Sequence, residues 1–394
     1  MLGLEIILGG VLLIWCGLGL YSLWSTRGFE VLRPRAVTLP QAPKVSIILS
    51  GRDEEETLPA ALESLLKLDY PVYEVILVDD DSTDRSGLIA DEWAARPELA
   101  GRLKVIHNHE LPSGWRGKVH ALSLAARESN GEWILATDAD VAVHPSALRL
   151  AMDIALRRDV QLLSLAPEFV FESFFEKVLL PAFSFLLLML FPVRLVNDPA
   201  SSRALAAGAF ILMRSKDLKE LGGYERLRST LVEDLRMAEL FKRNGRRIYL
   251  AFTRDLLRTR MYKDLSEIWE GLTRTAFEGI GFSVARIVAA AILGGPFTVL
   301  PWAAAVSLLL RDVRSGHFFS ADPALLLALG SCAASSLIYL PVVVLLRISP
   351  LYVFTLPLAT VTYSAAAVNS AWKSVVGGGV SWKGRRYKSG SAGE

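Results

Sequence analysis

The sequence predicts an α/β protein whose doubly wound mixed sheet is flanked by an N-terminal transmembrane anchor and a C-terminal transmembrane helical region. Three observations predict it. Short apolar runs alternate with helical patterns from residue 44 onward, which is how a chain winds a sheet with helices on its faces. Leu4 to Trp24 is almost wholly apolar, about the ~20 residues a helix needs to cross a bilayer, and long apolar runs return after Phe277. Acidic clusters follow several of the strand-like runs, at the edge where such sheets bind ligands. With 394 residues, 52% of them hydrophobic, the chain is too apolar for a soluble enzyme alone, and its net charge of +2 gives no sign of nucleic-acid binding. Cys16 and Cys332 lie far apart inside apolar runs, which excludes a disulfide framework and a zinc site.

The anchor, residues 1–26, is followed at once by Arg27, Arg33 and Arg35, so the positive flank places the next segment in the cytoplasm. Its front carries only Glu5 and lacks the basic residues that a cleaved leader would require, so it reads as a retained anchor. Residues 27–43 form a linker carrying Pro34, Pro40 and Pro43. A domain over 44–276 begins with a strand from Lys44 to Ser50, then a helix with Leu58, Ala61, Leu62, Leu65 and Leu66 on one face. Further strands are expected over Glu74–Val78, Leu103–Ile106 and the run from Trp133 that delivers Asp138 and Asp140 at its tip, with helices over Ser86–Ala95 and Gly117–Ser129. A helix near Pro145–Arg157, a strand near Gln161–Ala166, a strand over Ala204–Met213 and a helix over Val232–Asn244 complete it. Phe174 to Val196 is apolar but broken by Glu176, Lys177, Pro181, Pro192 and Arg194. It reads as an interfacial segment, with a buried core helix as the alternative.

The membrane region at 277–373 holds apolar runs over 282–310, 324–346 and 351–372. Three simple spans would leave the basic tail at 374–394 outside, against the positive-inside rule. Gly294-Gly295-Pro296 interrupts the first run, so residues 277–310 are expected to form a helical hairpin that keeps the tail cytoplasmic.

Chemistry concentrates at four places. These are Arg52-Asp53-Glu54 after the first strand, Asp79-Asp80-Asp81 after the second, Asp138-Ala139-Asp140 after the fourth, and Glu233-Asp234 at a helix start. Two aspartates separated by one small residue can hold a Mg²⁺ or Mn²⁺ ion and leave positions open for diphosphate oxygens. Asp80 is placed to accept from a base N–H or a ribose hydroxyl. Helix-dipole stabilisation alone, worth a few tenths of a kcal/mol, would account for Glu54, Asp84 and Glu233 singly. Lys118 opens a helix after a glycine-containing loop, a suitable position for an anion. His107 and His109 have ligand-like spacing but sit in a polar loop and are not read as ligands.

Val45-Ser-Ile-Ile-Leu-Ser-Gly-Arg-Asp-Glu-Glu55, Val78-Asp-Asp-Asp-Ser-Thr-Asp84, Thr137-Asp-Ala-Asp140 and Val232-Glu-Asp234, in that order, resemble the signatures of family 2 glycosyltransferases with the GT-A fold. The resemblance covers roughly residues 44–275. Leu111-Pro-Ser-Gly-Trp115-Arg-Gly-Lys118, Arg274-Thr-Ala-Phe277 and Trp382-Lys-Gly-Arg-Arg-Tyr387 bring it nearest the hopene-associated members and, more distantly, the ceramide glucosyltransferases. The resemblance implies that Asp53 or Glu54 and Asp80 contact the nucleoside, Asp138 the ribose or metal, and Asp140 the metal. It makes Asp234, with Glu233 beside it, the general base for an inverting transfer, a role that an ionised carboxylate fills at pH 7 without a large pKa shift. Trp269 and Arg274 fall in the wrong order for the Gln- or Arg-x-x-Arg-Trp signature of processive members, which weighs against a polysaccharide synthase. Lys118, Arg274, Lys383 and Arg385 are the nominated phosphate partners.

Together these readings describe a metal-dependent hexosyltransferase of a bacterial-type inner membrane, taking a nucleotide sugar, with a uridine diphosphate sugar as the expected donor, to a lipid hydroxyl. A processive synthase and a catalytically silent binding or transport protein are the rival readings.

Overall fold

The computed structural model describes residues 2–279, 294–316, 322–375, 380–382 and 385–387. It divides into two compact units, one of Gly28–Val170 with Phe191–Met261, the other of Met1–Arg27, Phe171–Leu190 and Tyr262–Glu394. The sheet-bearing unit ends at Met261, and 171–190, which its sequence surrounds, belongs to the other unit.

The first unit holds β1 (Val31–Leu32), β2 (Val45–Gly51), β3 (Tyr73–Asp79), β4 (Leu103–His107), β5 (Trp133–Asp138), β6 (Val141–Val143), β7 (Leu162–Ala166), β8 (Glu168–Phe169), β9 (Ile211–Arg214), β10 (Ile248–Thr253) and β11 (Leu257–Thr259). Eight strands form one sheet in the order β1-β10-β7-β9-β5-β2-β3-β4, and β6, β11 and β8 form a second. Every pairing in the large sheet is parallel except those of β9 with β5 and β7.

Aliphatic residues run without alternation through β2, and Val45, Ile47, Ile48 and Leu49 are fully buried, as expected of a parallel strand covered on both faces. The helix Leu58–Leu66 buries the five residues that its spacing selects, Leu58, Ala61, Leu62, Leu65 and Leu66. From β2 the chain winds outward through β3 and β4, then returns to place β5 on β2's other side. Between β2 and β5 the winding reverses, and a crevice opens there at the carboxyl ends. Ser50 pairs with Asp138 on one side and Val78 on the other, while Gly51 pairs with Asp79. The acidic ends of β3 and β5, Asp79 and Asp138, thus flank the end of β2 within one residue of each other in register.

The strand expected over 204–213 is shorter, covering only Ile211–Arg214. Residues before it turn across the strand tips instead of pairing: Thr137 Oγ1 donates to the Ala209 carbonyl at 2.7 Å and Ala207 N donates to Ser164 Oγ at 2.8 Å. Small residues permit that close passage.

In the second unit, among the described residues, three helices are long and apolar enough to cross a membrane: Leu2–Ser25, Pro323–Leu345 and Pro350–Lys373. Leu2, Ile6, Leu13, Leu20 and Leu23 on the first expose their side chains, as lipid-facing residues do. Phe174–Leu190 is a helix of this unit with Pro181 inside it. Its polar groups are satisfied internally, Glu176 accepting from the Glu172 and Ser173 amides and the Leu179 carbonyl accepting from Tyr363 at 2.7 Å. It is no core helix of the sheet. Residues 280–293 of the expected hairpin lie outside the described residues; Leu300–Arg314 is helical.

Candidate active site

At the end of β2, Arg52 is buried and turned toward the neighbouring strand end. Its Nη1 donates to the Asp80 carbonyl at 2.6 Å, and the guanidinium stands 3.4 Å from the Asp81 carboxylate. Asp53 adopts a left-handed backbone, φ 52°, and its Oδ1 accepts from the Thr83 amide at 2.7 Å. Both residues staple the β2 loop to the β3 loop. Glu54 accepts from Thr57 Oγ1 at 2.8 Å, and its charge is felt at Asp140.

Asp80 is 1% exposed, and its Oδ1 accepts from Asn108 Nδ2 at 2.8 Å. Asn108 lies just past β4. Asp79 accepts from His107 Nδ1 at 3.0 Å and from the Ser82 amide at 3.2 Å, while His107 Nε2 meets Asp91 at 3.0 Å. Hydrogen bonds to the carboxylates of Asp79 and Asp91 hold the His107 pKa above its usual range. This histidine fastens a loop.

On the other side of β2 lie Asp138 and Asp140, both partly exposed. Thr259 Oγ1, brought alongside by the pairing of β11 with β6, donates to Asp140 Oδ2 at 3.1 Å. Burial, then the nearby charges of Asp138 and Glu54, push the Asp140 pKa up to about 6. Lys118, on the first turn of the helix Gly117–Glu128, places Nζ 2.7 Å from Asp138 Oδ1 and 2.5 Å from Glu233 Oε1. Burial opposes its charge, but Asp138 and Glu233 outweigh that and hold its pKa well above the usual value. Arg116 anchors this helix start to the loop before Glu233, its amide donating to the Arg228 carbonyl at 2.7 Å.

Asp234 opens the helix Glu233–Arg243. Its Oδ2 accepts from the Gly208 amide at 3.2 Å and its Oδ1 from its own neighbour Leu235 N at 2.7 Å. A Cβ on Gly208 would lie 3.4 Å from Asp138 Oδ2 and 3.5 Å from Asp234 Oδ2, so these two carboxylates flank one glycine. The sequence assigned Asp234 an ordinary carboxylate pKa. Instead burial, then the charge of Glu233, push it up to about 7.

Residues 46–222 match the family model for glycosyl transferase family 2. This segment is a family 2 glycosyltransferase domain. The chain is 31% identical over 150 residues to a beta-monoglucosyldiacylglycerol synthase of Synechocystis sp., covering 36% of this chain and 30% of that one. It is 27% identical over 206 residues to a 4,4'-diaponeurosporenoate glycosyltransferase of Staphylococcus haemolyticus, covering 50% of this chain and 52% of that one. Those matches span about a third and half of the relatives' own lengths. The structure of the mannosyltransferase PcManGT from Pyrobaculum calidifontis, in complex with GDP-Man and Mn²⁺, superposes with TM-score 0.52 at 20% identity over 94% of this chain and 99% of that one, which shows a shared GT-A fold.

Among the described residues, no group of three or more His, Cys, Asp or Glu side chains gathers as a ready-made metal site. Asp138 and Asp140 nevertheless fit a hard divalent ion. Burial is the larger cause of the raised Asp140 pKa, and the charges of Asp138 and Glu54 add to it; a two-carboxylate site leaves coordination positions for diphosphate and water oxygens.

The fold thus brings together Glu54, Lys118, Asp138, Asp140, Glu233 and Asp234, while Arg52, Asp53 and Asp80 shape the adjoining loops. Arg274 lies on the helix Leu265–Gly279, its side chain outside the described residues, as are Lys383 and the side chain of Arg385. Sequence reasoning missed Gly208, Thr259 and Asn108. Asn108 was findable, standing one residue past a strand at the binding edge; Thr259 lies on a three-residue strand without periodicity.

Proposed function

We propose that this chain is an inverting hexosyltransferase that moves a sugar from a nucleoside diphosphate donor to the hydroxyl of a lipid. The observation that carries the reading is the placement of the Asp234 and Asp138 carboxylates on either side of Gly208, at the crevice where the sheet's winding reverses. Asp234 takes the proton of the acceptor hydroxyl as that oxygen bonds to the anomeric carbon. The bond from that carbon to the diphosphate breaks with its electron pair, and the nucleoside diphosphate leaves. A base with a pKa near working pH suits this task, and a positioned base typically contributes 10²- to 10⁴-fold. Asp138 and Asp140 would hold a divalent ion, whose chemistry when bound is to offset charge on the departing diphosphate. Glu233 and Lys118 set the charge around the base.

Support for a lipid acceptor comes from the membrane-length helices carried on the same chain and from the named acceptor of the Synechocystis relative. A tether to the bilayer confines the domain to the plane in which lipid hydroxyls lie. Arg27, Arg33 and Arg35 support a cytoplasmic catalytic domain. A uridine donor, and a hopanoid- or ceramide-like acceptor, rest on the family resemblance alone. The test is radiolabelled nucleotide sugar given to membranes containing the protein, followed by lipid extraction. Label in a lipid fraction that disappears with Asp140→Ala supports the proposal; label in a high-mass polymer would replace it with a synthase.

A further inference from the structure

Lys118 is the feature that a plain phosphate-contact role leaves unexplained. Its ammonium reaches Asp138 and Glu233 at 2.7 and 2.5 Å, and its side chain keeps 28% of its surface exposed. Asp138 is 31% exposed, so this ion pair opens onto the crevice. One contact is a carboxylate assigned to hold the metal; the other is the neighbour whose charge raises the pKa of Asp234. Asp140 and Glu54 add further negative charge nearby. Among the described residues Lys118 therefore offsets several of these carboxylates, and it lies against a carboxylate assigned to the divalent ion.

We propose that Lys118 is an internal counter-ion that holds Asp138 in the donor-free protein and exchanges that partner for a diphosphate oxygen when the donor arrives with its metal. Lysine suits the exchange, since its flexible stem and strongly hydrated head change partners more readily than a planar guanidinium. While Nζ stays on Asp138, a bare divalent ion meets both a competitor for the oxygen and a like charge. The diphosphate removes both by giving the ammonium another anion. Metal and nucleotide then bind as a pair, and neither occupies the crevice well alone. Lys118 is thus a positioning residue on the donor side, and the inference rests on the donor-site reading given above.

The test uses the purified full chain in detergent, with thermal melting to show that each variant is folded. Mn²⁺ alone is titrated and read by the electron paramagnetic resonance of the free ion; UDP is then titrated at saturating Mn²⁺. Lys118→Gln is expected to bind Mn²⁺ alone more tightly, on the order of tenfold, because a like charge has gone from beside the ligands. UDP should bind it more weakly than the wild type by a similar factor. Lys118→Arg, which keeps the charge, should leave Mn²⁺ as weakly bound as in the wild type. Lys118→Met replaces the glutamine variant should that one fail to fold. Mn²⁺ bound equally or less tightly by the neutral variant overturns the proposal, as does UDP binding that is the same with and without the lysine. Failure of both UDP and GDP to bind the wild type in the same titration refutes the donor-site reading instead.

Discussion

Replacing Asp234 with asparagine should make the protein more stable above neutral pH while removing most of its activity. A carboxyl raised from 3.8 to about 7 binds its proton more tightly folded than unfolded. Stability is therefore full below the unfolded pKa near 4, declines as pH rises through the window up to about 7, and stays low above it; the ionised group there disfavours folding by roughly 4 kcal/mol. Asparagine removes that charge but has one acceptor oxygen where Asp234 uses both, on the Gly208 and Leu235 amides. One buried amide left without its partner costs about 1–3 kcal/mol. The net gain at pH 8 is then about 1–3 kcal/mol, a rise of roughly 2–10 °C in Tm. At pH 5 the gain should vanish or reverse. Transfer activity should fall about 10²- to 10⁴-fold, the usual contribution of a positioned base. Thermal melting in detergent at both pH values, beside a radiolabel transfer assay, reads all three quantities. A variant equally destabilised at pH 5 and pH 8, or one that keeps its activity, would refute the reasoning.

Thr259→Val removes the hydroxyl that donates to Asp140 at 3.1 Å; a bond to a charged acceptor is worth about 1.5–3 kcal/mol, so Mn²⁺ should bind roughly tenfold or more weakly in a titration with UDP present. Asn108→Leu takes a donor from the buried Asp80 carboxylate and is expected to lower stability by about 1–3 kcal/mol and raise the donor KM; an unchanged melting curve would show that this pair does not hold the β3 loop. The raised pKa of His107 stabilises the fold fully below its unfolded value near 6.5 and loses that contribution as pH climbs through the higher folded value. His107→Gln should flatten the dependence of Tm on pH in that window, and an identical profile would count against the Asp79–His107–Asp91 bridge.

Sequence carried the sheet as far as its carboxyl edge because an apolar run ending in charge has a local physical meaning: buried strand, then exposed tip. Asp79, Asp138 and their surroundings follow from it. Strand direction has no such local mark, so the antiparallel course of β9 appears only once its flanks on β5 and β7 are known. The fates of Asp53 and Asp80 were hidden for a related reason. Nothing near them in sequence announces Thr83 and Asn108 as their partners. Asp234 shows the limit most clearly. Its helix N-terminus favours the anion by a few tenths of a kcal/mol, which is visible in sequence, yet burial beside Glu233 outweighs that several-fold and depends on a tertiary neighbourhood.

The segment Phe171–Leu190 leaves the sheet-bearing unit between β8 and β9 and re-enters it afterwards. Trimming away the first 27 residues and everything from 262 would still leave an apolar helix inserted, in sequence, between the two stretches of the sheet-bearing unit. Water-soluble expression of the sheet-bearing unit would have to join Val170 to Phe191 through a polar linker in place of 171–190.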